Sequence, residues 1–433
     1  MDKPIISSFT DILKCLNSNE NYKKSPPTGP PDNWPNGIVT SDQFEDLNTN
    51  TFGEDPIKNS PNEEETLDLV ENDGILPKFV EYPSSDMLED INISAIDGSN
   101  ERIERGAFFL ILVRSALENF RYNKAGHRPN IYQSTKDVSA MTLADSNIFD
   151  RDKLNITTSY RVEEDDDEIR NYIQGHLRSL EKEPIFIKYN RQKNLKSPAS
   201  HALGWGVKLM QTLELIALKD VDTKYRSICI KDGPIFSPSV SKRDTNSLLS
   251  ILKSWDNQVL IGCSKRIQDS RLLTQLLFQK GNLRNAWFKG QAIKESSIKS
   301  ISSDKIILSR ILKPGERTPL IKGIPDTRES IVDPNSDIGG DRDYMPLNCY
   351  YLSRTKPHTY IRMEIPALFY NKNPRFVEEA ISIAAWQHEL GRIAPLVQLL
   401  ADKRCSLSSE KEIMERLTNA ALLDKELEFL QDY

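Results

Sequence analysis

The sequence predicts an α/β protein with a mixed sheet, and two patterns lead to this class. Between residues 90 and 120, apolar residues alternate or run continuously, as they do in hairpin strands. From residue 206 onward, helical and β-branched segments take turns, which is typical of layered helices and strands. The chain has 433 residues, of which 38% are hydrophobic. That length allows about two or three domains, or one large domain with insertions.

The N-terminal segment differs in charge from the remainder. Residues 1–100 carry 20 acidic residues against 6 lysines, whereas residues 101–433 carry 43 acidic and 51 basic residues. A mildly basic body suits nucleic-acid binding, although a solvated surface behind a flexible acidic head explains the same charges. Residues 20–75 have few apolar anchors, which predicts a linker or loosely packed segment. We therefore predict an acidic, partly disordered extension over 1–85 and one domain over 86–433.

The elements follow in order. A strand over residues 91–96 precedes Asp97, and a second strand or buried helix covers Ala107–Val113 and runs on to Phe120. Residues 121–200 have no clear pattern and are interpreted as an insertion. The later segments predict helices at Gly206–Leu218, Asp244–Trp255, Ser270–Gln279, Phe376–Leu390 and Glu410–Leu430, strands at Ser227–Lys231 and Val259–Cys263, and an antiparallel pair at Cys349–Leu352 and Thr359–Ile365.

Several function classes are excluded by missing motifs. The sequence has no GxxxxGK[ST], no GxGxxG after a strand and no GxSxG, which argues against a P-loop ATPase, a dinucleotide-binding enzyme and an α/β-hydrolase. The five cysteines lack CxxC spacing, and the five histidines lack HExxH spacing. The N-terminus does not resemble a signal peptide, and no apolar run approaches the ~20 residues of a membrane span. A cytoplasmic protein without a membrane partner is expected.

Three acidic residues stand where acids are structurally awkward. Asp97 ends an apolar strand, Glu214 lies within the apolar face of a helix, and Asp232 ends the strand Ser227–Lys231. Each aspartate alone is compatible with a turn residue. Together, the three acids have the layout of RNase H-like nucleases, in which two metal ions act on a phosphodiester. Mg²⁺ and Mn²⁺ bind such hard oxygen ligands.

The chain resembles the NurA-type nuclease family, prokaryotic DNA-end-processing enzymes that work with the HerA hexameric translocase. The resemblance covers roughly residues 90 to 420. It is carried, in the family's order, by the segments Ala95–Ser99, Leu213–Leu215, Ile230–Ile235, Leu260–Lys265, Tyr360–Pro366, Gly391–Leu396 and Ala401–Lys403.

The resemblance implies an RNase H-like core related to the PIWI domain, assembled as a homodimer. It also implies 5′-to-3′ exonuclease and single-strand endonuclease action on DNA, coupled to a HerA-like ATPase. The family's metal-binding acids match Asp97, Glu214 and Asp232, with two ions of Mn²⁺ or Mg²⁺ as the implied cofactor. Asp402 stands where the family usually has a histidine and is a possible additional ligand. Lys265 matches a family lysine that could neutralise a phosphate.

Some readings stay open. Lys265 could equally be a surface lysine. Arg362 and Glu364 share one face of a strand, where they could orient the metal site or form a solvated pair. Strand alternation directs Lys231 away from the face of Asp232, so no active-site role is predicted for it. Because of Asp402, the alternative function is a non-catalytic DNA-binding adaptor for the ATPase ring. An antiviral role and a repair role are not distinguished.

Overall fold

The computed structural model describes residues 67–407 except for gaps at 106–107, 123–129, 145–155, 163–206, 208–209, 212, 236–247, 249, 266, 268–269, 289–293, 300, 302 and 323–344. The strands are β1 (Asp68–Leu69), β2 (Lys78–Phe79), β3 (Ile91–Arg105), β4 (Phe108–Tyr122), β5 (Asn130–Ala144), β6 (Ile156–Val162), β7 (Arg226–Asp232), β8 (Gln258–Ser264), β9 (Glu316–Arg317), β10 (Ile321–Lys322), β11 (Pro346–Leu352) and β12 (Tyr360–Pro366).

The helices are α1 (Ser85–Leu88), α2 (213–218, with further helical residues at 207, 210 and 211), α3 (250–253), α4 (Leu272–Gln279), α5 (Gly281–Trp287), α6 (Glu295–Lys299), α7 (Asp304–Ile311), α8 (Ala367–Lys372), α9 (Pro374–Gly391) and α10 (Leu396–Cys405). No helix within these ranges combines the length and the apolar character that crossing a bilayer requires. The predicted helix Glu410–Leu430 lies outside the described residues.

One mixed sheet organises the described chain, which confirms the predicted α/β class. Its main path runs β1-β10-β11-β12-β8-β7-β3-β4-β5-β6. Strands β3, β4 and β5 form an antiparallel meander. On the other side of β3, β7 runs parallel to β3 and β8 runs parallel to β7. Parallel strands end at the same edge of a sheet, so the chain segments after β7 and β8 lie close together.

Two sequence predictions about the first half of the sheet are corrected. Strand β3 does not end at Asp97 but continues to Arg105, because β4 pairs with it along its whole length. Residues 121–200 are not wholly an insertion, since β5 and β6 lie within that range and extend the sheet beyond β4. Sequence alternation in these two strands is weak, so their place in the sheet depends on pairing with the neighbouring strands.

The buried apolar residues form two clusters. The larger one joins the central strands to α9 and α10 and includes Ile93, Ile228, Leu260 and Ile381. The smaller one joins α4, α5 and α7 to the far end of the sheet and includes Leu67, Leu69 and Trp287. The first cluster lies beneath the predicted acidic site and fixes the strands that carry it.

The end of the acidic extension belongs to the fold. Strands β1 and β2 pair with β10 and β9, and Leu67 and Leu69 are buried. The predicted linker over 20–75 therefore extends too far at its C-terminal end. An ion pair explains why so polar a segment packs: Asp73 accepts from both terminal nitrogens of the fully buried Arg317, at 2.9 and 2.8 Å. Residues 1–66 lie outside the described residues.

Asp73→Asn is expected to lower the free energy of unfolding by about 1–3 kcal/mol, because the amide leaves one buried Arg317 donor without an acceptor. Chemical denaturation of the purified variant measures this loss. Asp68→Asn is the matched control, since Asp68 pairs with Lys280 at 3.1 Å in a partly exposed position. Equal stability losses in the two variants would contradict a special role for the Asp73–Arg317 pair.

Candidate active site

Strand register brings the first two predicted acids side by side. Strand β7 runs parallel to β3, and Ile96 pairs with Lys231. Asp97 and Asp232 are the next residues on the two strands, so they are neighbours across the ladder. Asp97 is buried, with 4% of its surface exposed, whereas the Asp232 side chain at the end of β7 is 35% exposed.

Asp97 is a buried carboxyl group that is only half satisfied. Its Oδ1 accepts a hydrogen bond from the Gly98 amide at 2.8 Å. Its Oδ2 is buried and has no hydrogen-bond partner among the described residues. Burial, followed by the charges of Asp232 and Glu214, raises the pKa of Asp97 to about 8, and Lys265 opposes this only in part. Without a cation this carboxyl is mostly protonated at neutral pH.

Helix α10 brings two further potential ligands to Asp97. The Ser99 hydroxyl donates to the Cys405 carbonyl, and Arg404 pairs with Glu118 of β4, so the last turn of the helix is fixed on β3 and β4. Asp97, Asp402 and Cys405 consequently each offer a ligand atom within 4.8 Å of the others. Asp402 was predicted from the family resemblance, whereas Cys405 was not predicted.

Glu214 approaches β3 from the face of Gly98. A methyl group at Gly98 would lie 2.8 Å from Glu214 Oε1, so this glycine provides the space for the carboxylate. Side chains alternate along a strand, and Asp97 therefore points to the opposite face from Gly98. The acids thus reach β3 from two sides, Asp402 from α10 and Glu214 from α2.

Lys231 holds Glu214, which sequence reasoning missed. Its Nζ lies 2.6 Å from Glu214 Oε2 and donates to the Asp232 carbonyl at 3.0 Å. Burial acts to lower the pKa of Lys231, but Glu214 and then Asp232 outweigh it and raise that pKa, so the lysine is charged. Alternation does direct Lys231 away from Asp232, as predicted, and that is the face where Glu214 lies. The sequence alone did not reveal that α2 packs against that face, and this is why the contact between Lys231 and Glu214 was not predicted.

Asp232 is positioned by three different elements. Lys265 Nζ lies 3.1 Å from Asp232 Oδ1, and the Gln398 side-chain amide donates to the same oxygen. Beyond Asp232, the amide of Ile235 donates to Glu364 Oε1 at 3.0 Å, so Glu364 holds the loop that follows the aspartate. The pKa of Lys265 is raised because Asp232 and Asp97 outweigh its burial.

Some of the predicted site residues are therefore in direct contact with one another, whereas others are not. Asp97 lies with Asp402, and Asp232 lies with Lys265. Glu214 affects the pKa of Asp97 but has Lys231 as its direct partner. Arg362 lies by Tyr350, and although burial acts to lower the pKa of its guanidinium, Tyr350 and Glu364 outweigh it and raise that pKa. Convergence of Asp97, Glu214 and Asp232 on shared metal ions stays a prediction.

The donor set fits a divalent cation. Asp97, Asp402 and Asp232 supply the oxygen ligands that Mg²⁺ and Mn²⁺ prefer, and Asp97 Oδ2 is a buried acceptor without a donor. An unsatisfied buried acceptor costs roughly 1–3 kcal/mol, so a cation at this oxygen would remove a penalty that the described protein groups do not.

Gly98→Ala is expected to lower the free energy of unfolding by about 1–3 kcal/mol, because the added methyl group overpacks the contact with Met210 and Glu214. Thermal melting of the metal-free protein measures it. Gly281→Ala is the control, since the nearest atom to a methyl group there is 3.7 Å away at the end of the Arg284 side chain. If Gly98→Ala leaves the free energy of unfolding unchanged, Glu214 is not held against β3.

Comparison with known proteins agrees with the resemblance. The family model described as the NurA domain matches residues 91–406. Among solved structures, the chain is similar to the NurA nuclease from Sulfolobus solfataricus, with 12% identity, a TM-score of 0.40, and coverage of 82% of this chain and 90% of that one. No protein of curated function matches the chain significantly. Because the family model spans most of the sequence, including the strands and helices that carry every acid of the candidate site, this chain belongs to the NurA domain family.

Proposed function

We propose that this protein is a metal-dependent deoxyribonuclease that hydrolyses phosphodiester bonds. Membership of the NurA domain family supports a nuclease. The observation that carries the metal dependence is Asp97, a buried carboxylate with one unpartnered oxygen beside Asp402. The central strand order β5-β4-β3-β7-β8, an antiparallel meander followed by two parallel strands, supports an RNase H-like core.

The protein groups would divide the work as follows. Asp97, Asp232 and Asp402 would hold Mn²⁺ or Mg²⁺, and Glu214 would join them by exchanging its contact with Lys231 for a metal. Bound divalent ions supply Lewis-acid stabilisation of a phosphodiester. Lys265 is 28% exposed beside Asp232, where its ammonium group would contact a DNA phosphate. Gln398 and Glu364 would keep Asp232 and its loop in position.

The proposed binding partners are derived from family membership and not from intermolecular contacts of this chain. We propose DNA as substrate, a homodimer as the assembly, and a HerA-like hexameric ATPase as the source of translocation, since this sequence has no P-loop motif. The action would be that of a 5′-to-3′ exonuclease and single-strand endonuclease, in repair or antiviral defence.

The test is cleavage of labelled linear and single-stranded DNA by the purified full chain with Mn²⁺, Mg²⁺ or EDTA, with and without the ATPase and ATP. We expect cleavage with Mn²⁺ and none with EDTA. Lys265→Ala should reduce cleavage by about 100- to 1,000-fold, the range found when one group that stabilises transition-state charge is removed. Arg375→Ala is the control, because Arg375 is 90% exposed on α9. Cleavage that persists in EDTA would contradict the proposal.

A second candidate function is a non-catalytic DNA-binding adaptor for the ATPase ring. One observation favours it, since Lys231 neutralises Glu214. The family resemblance, which implies a histidine where this chain has Asp402, points the same way. Asp402→His separates the two functions. A nuclease that lacks only its proton-transfer group should gain activity, whereas an adaptor should remain inactive with every metal while binding DNA and the ATPase.

A further inference from the structure

The thiol of Cys405 lies among potential metal ligands. Cys405 is fully buried in the last turn of α10, and its Sγ lies 3.3 Å from the Asp402 carbonyl oxygen. Its Sγ and one carboxylate oxygen each from Asp97 and Asp402 are mutually within 4.8 Å. This spacing suits three ligands around one ion, because metal–oxygen and metal–sulfur bonds are about 2.0–2.6 Å long.

A second observation points independently to a cation there. Asp97 is 4% exposed, and its Oδ2 has no donor among the described residues. The described protein groups therefore leave a buried carboxyl oxygen without a hydrogen-bond partner at the point where the thiol and Asp402 meet Asp97. A divalent ion would satisfy Oδ2 and bring sulfur and both carboxylates into one coordination sphere.

We propose that Cys405 is a thiolate ligand of the ion bound by Asp97 and Asp402, and that this centre prefers Zn²⁺ to Mg²⁺. The inference deepens the proposed function, because it concerns the metal of the same site. Binding replaces the S–H bond with an S–metal bond and releases the proton to solvent. Thiolate sulfur is a soft ligand that suits Zn²⁺, whereas Mg²⁺ is bound through oxygen and dehydrates reluctantly.

The test uses metal-stripped full-length protein without DNA. Co²⁺ serves as a coloured substitute for Zn²⁺, since a thiolate bound to Co²⁺ gives a sulfur-to-metal charge-transfer band in the near ultraviolet. We expect one equivalent of Co²⁺ to produce the band, Zn²⁺ to remove it by displacement, and excess Mg²⁺ to leave it. Cys405→Ser should lose the band and weaken Zn²⁺ binding, measured by calorimetry, by at least about tenfold.

Cys349→Ser is the matched control, because Cys349 is an equally buried thiol on β11, and this variant should keep the band. Co²⁺ bound to the wild-type protein without the band, no binding of Co²⁺, or a band that survives in Cys405→Ser would each overturn the proposal. If Cys405→Ser folds poorly, Cys405→Ala is the second variant, and it should likewise lose the band. A band from a protein that leaves DNA uncleaved with every metal tested would refute the nuclease function alone, whereas Mn²⁺-dependent cleavage without a band would refute thiolate ligation alone.

Discussion

Asp97→Asn is expected to reduce Mn²⁺-dependent DNA cleavage by more than about 100-fold, and to stabilise the metal-free fold at pH 8. The activity is lost because the buried ligand loses the charge that holds the ion. The fold gains because burial and the neighbouring acids make an ionised Asp97 unfavourable. A neutral amide at this position avoids both penalties.

The pH dependence has a definite sign. The pKa of Asp97 is about 8 in the folded protein and 3.8 is its ordinary value. Between these two pH values the folded state binds more protons than the unfolded state, so this group makes stability fall as pH rises. In EDTA, the melting temperature of the wild-type protein should therefore decrease from pH 5 to pH 8, and Asp97→Asn should flatten that decrease.

Asp402→Asn is the control for Asp97→Asn. Asp402 is an exposed residue of the same cluster, so its substitution should reduce cleavage without a comparable gain in stability at pH 8. If the melting temperatures of the two variants depend on pH in the same way, the raised pKa does not belong to Asp97. If Asp97→Asn cuts at the normal specific rate, Asp97 is not a metal ligand.

Lys231→Met should lower the free energy of unfolding by about 3–5 kcal/mol in EDTA, because it leaves the buried Glu214 carboxylate without its cation. Chemical denaturation measures this loss. The double variant Lys231→Met/Glu214→Gln should recover much of it, since the uncompensated charge is then gone. The same melts with Mn²⁺ test whether Glu214 can bind metal: Mn²⁺ should stabilise Lys231→Met more than wild type. No difference would show that Glu214 is committed to a purely structural ion pair.

The sequence predicted most of the central strands and the acids they carry, because alternation and β-branched runs are local properties. Strands β7 and β8 and the helix α9 are confirmed close to their predicted bounds. Lys231 and Cys405 were missed for a different reason. Their importance depends on which helix packs over which face of β3, and that arrangement follows from contacts between residues far apart in the chain.

The difference between local sequence patterns and long-range contacts also explains the wrong predictions in the first half of the sheet. Strand β3 continues past Asp97 because β4 supplies partners for its backbone, although Asp97-Gly98-Ser99 reads as a turn. Strands β5 and β6 were absorbed into a predicted insertion because neither has a strong pattern of its own. Pairing with a neighbour overrides weak local preference wherever that neighbour has a free edge.

The attachment of β1 and β2 bears on where a minimal working fragment of this protein begins. The family match starts at residue 91, but residues 67–90 complete the far side of the sheet. A recombinant fragment cut at 91 would uncover the backbone of β9 and β10 and remove Asp73 from the buried Arg317. Exposed strand edges recruit other chains, so such a fragment is expected to aggregate. Residues 67–90, which lie before the matched family domain, are thus expected to be a structural requirement for that domain.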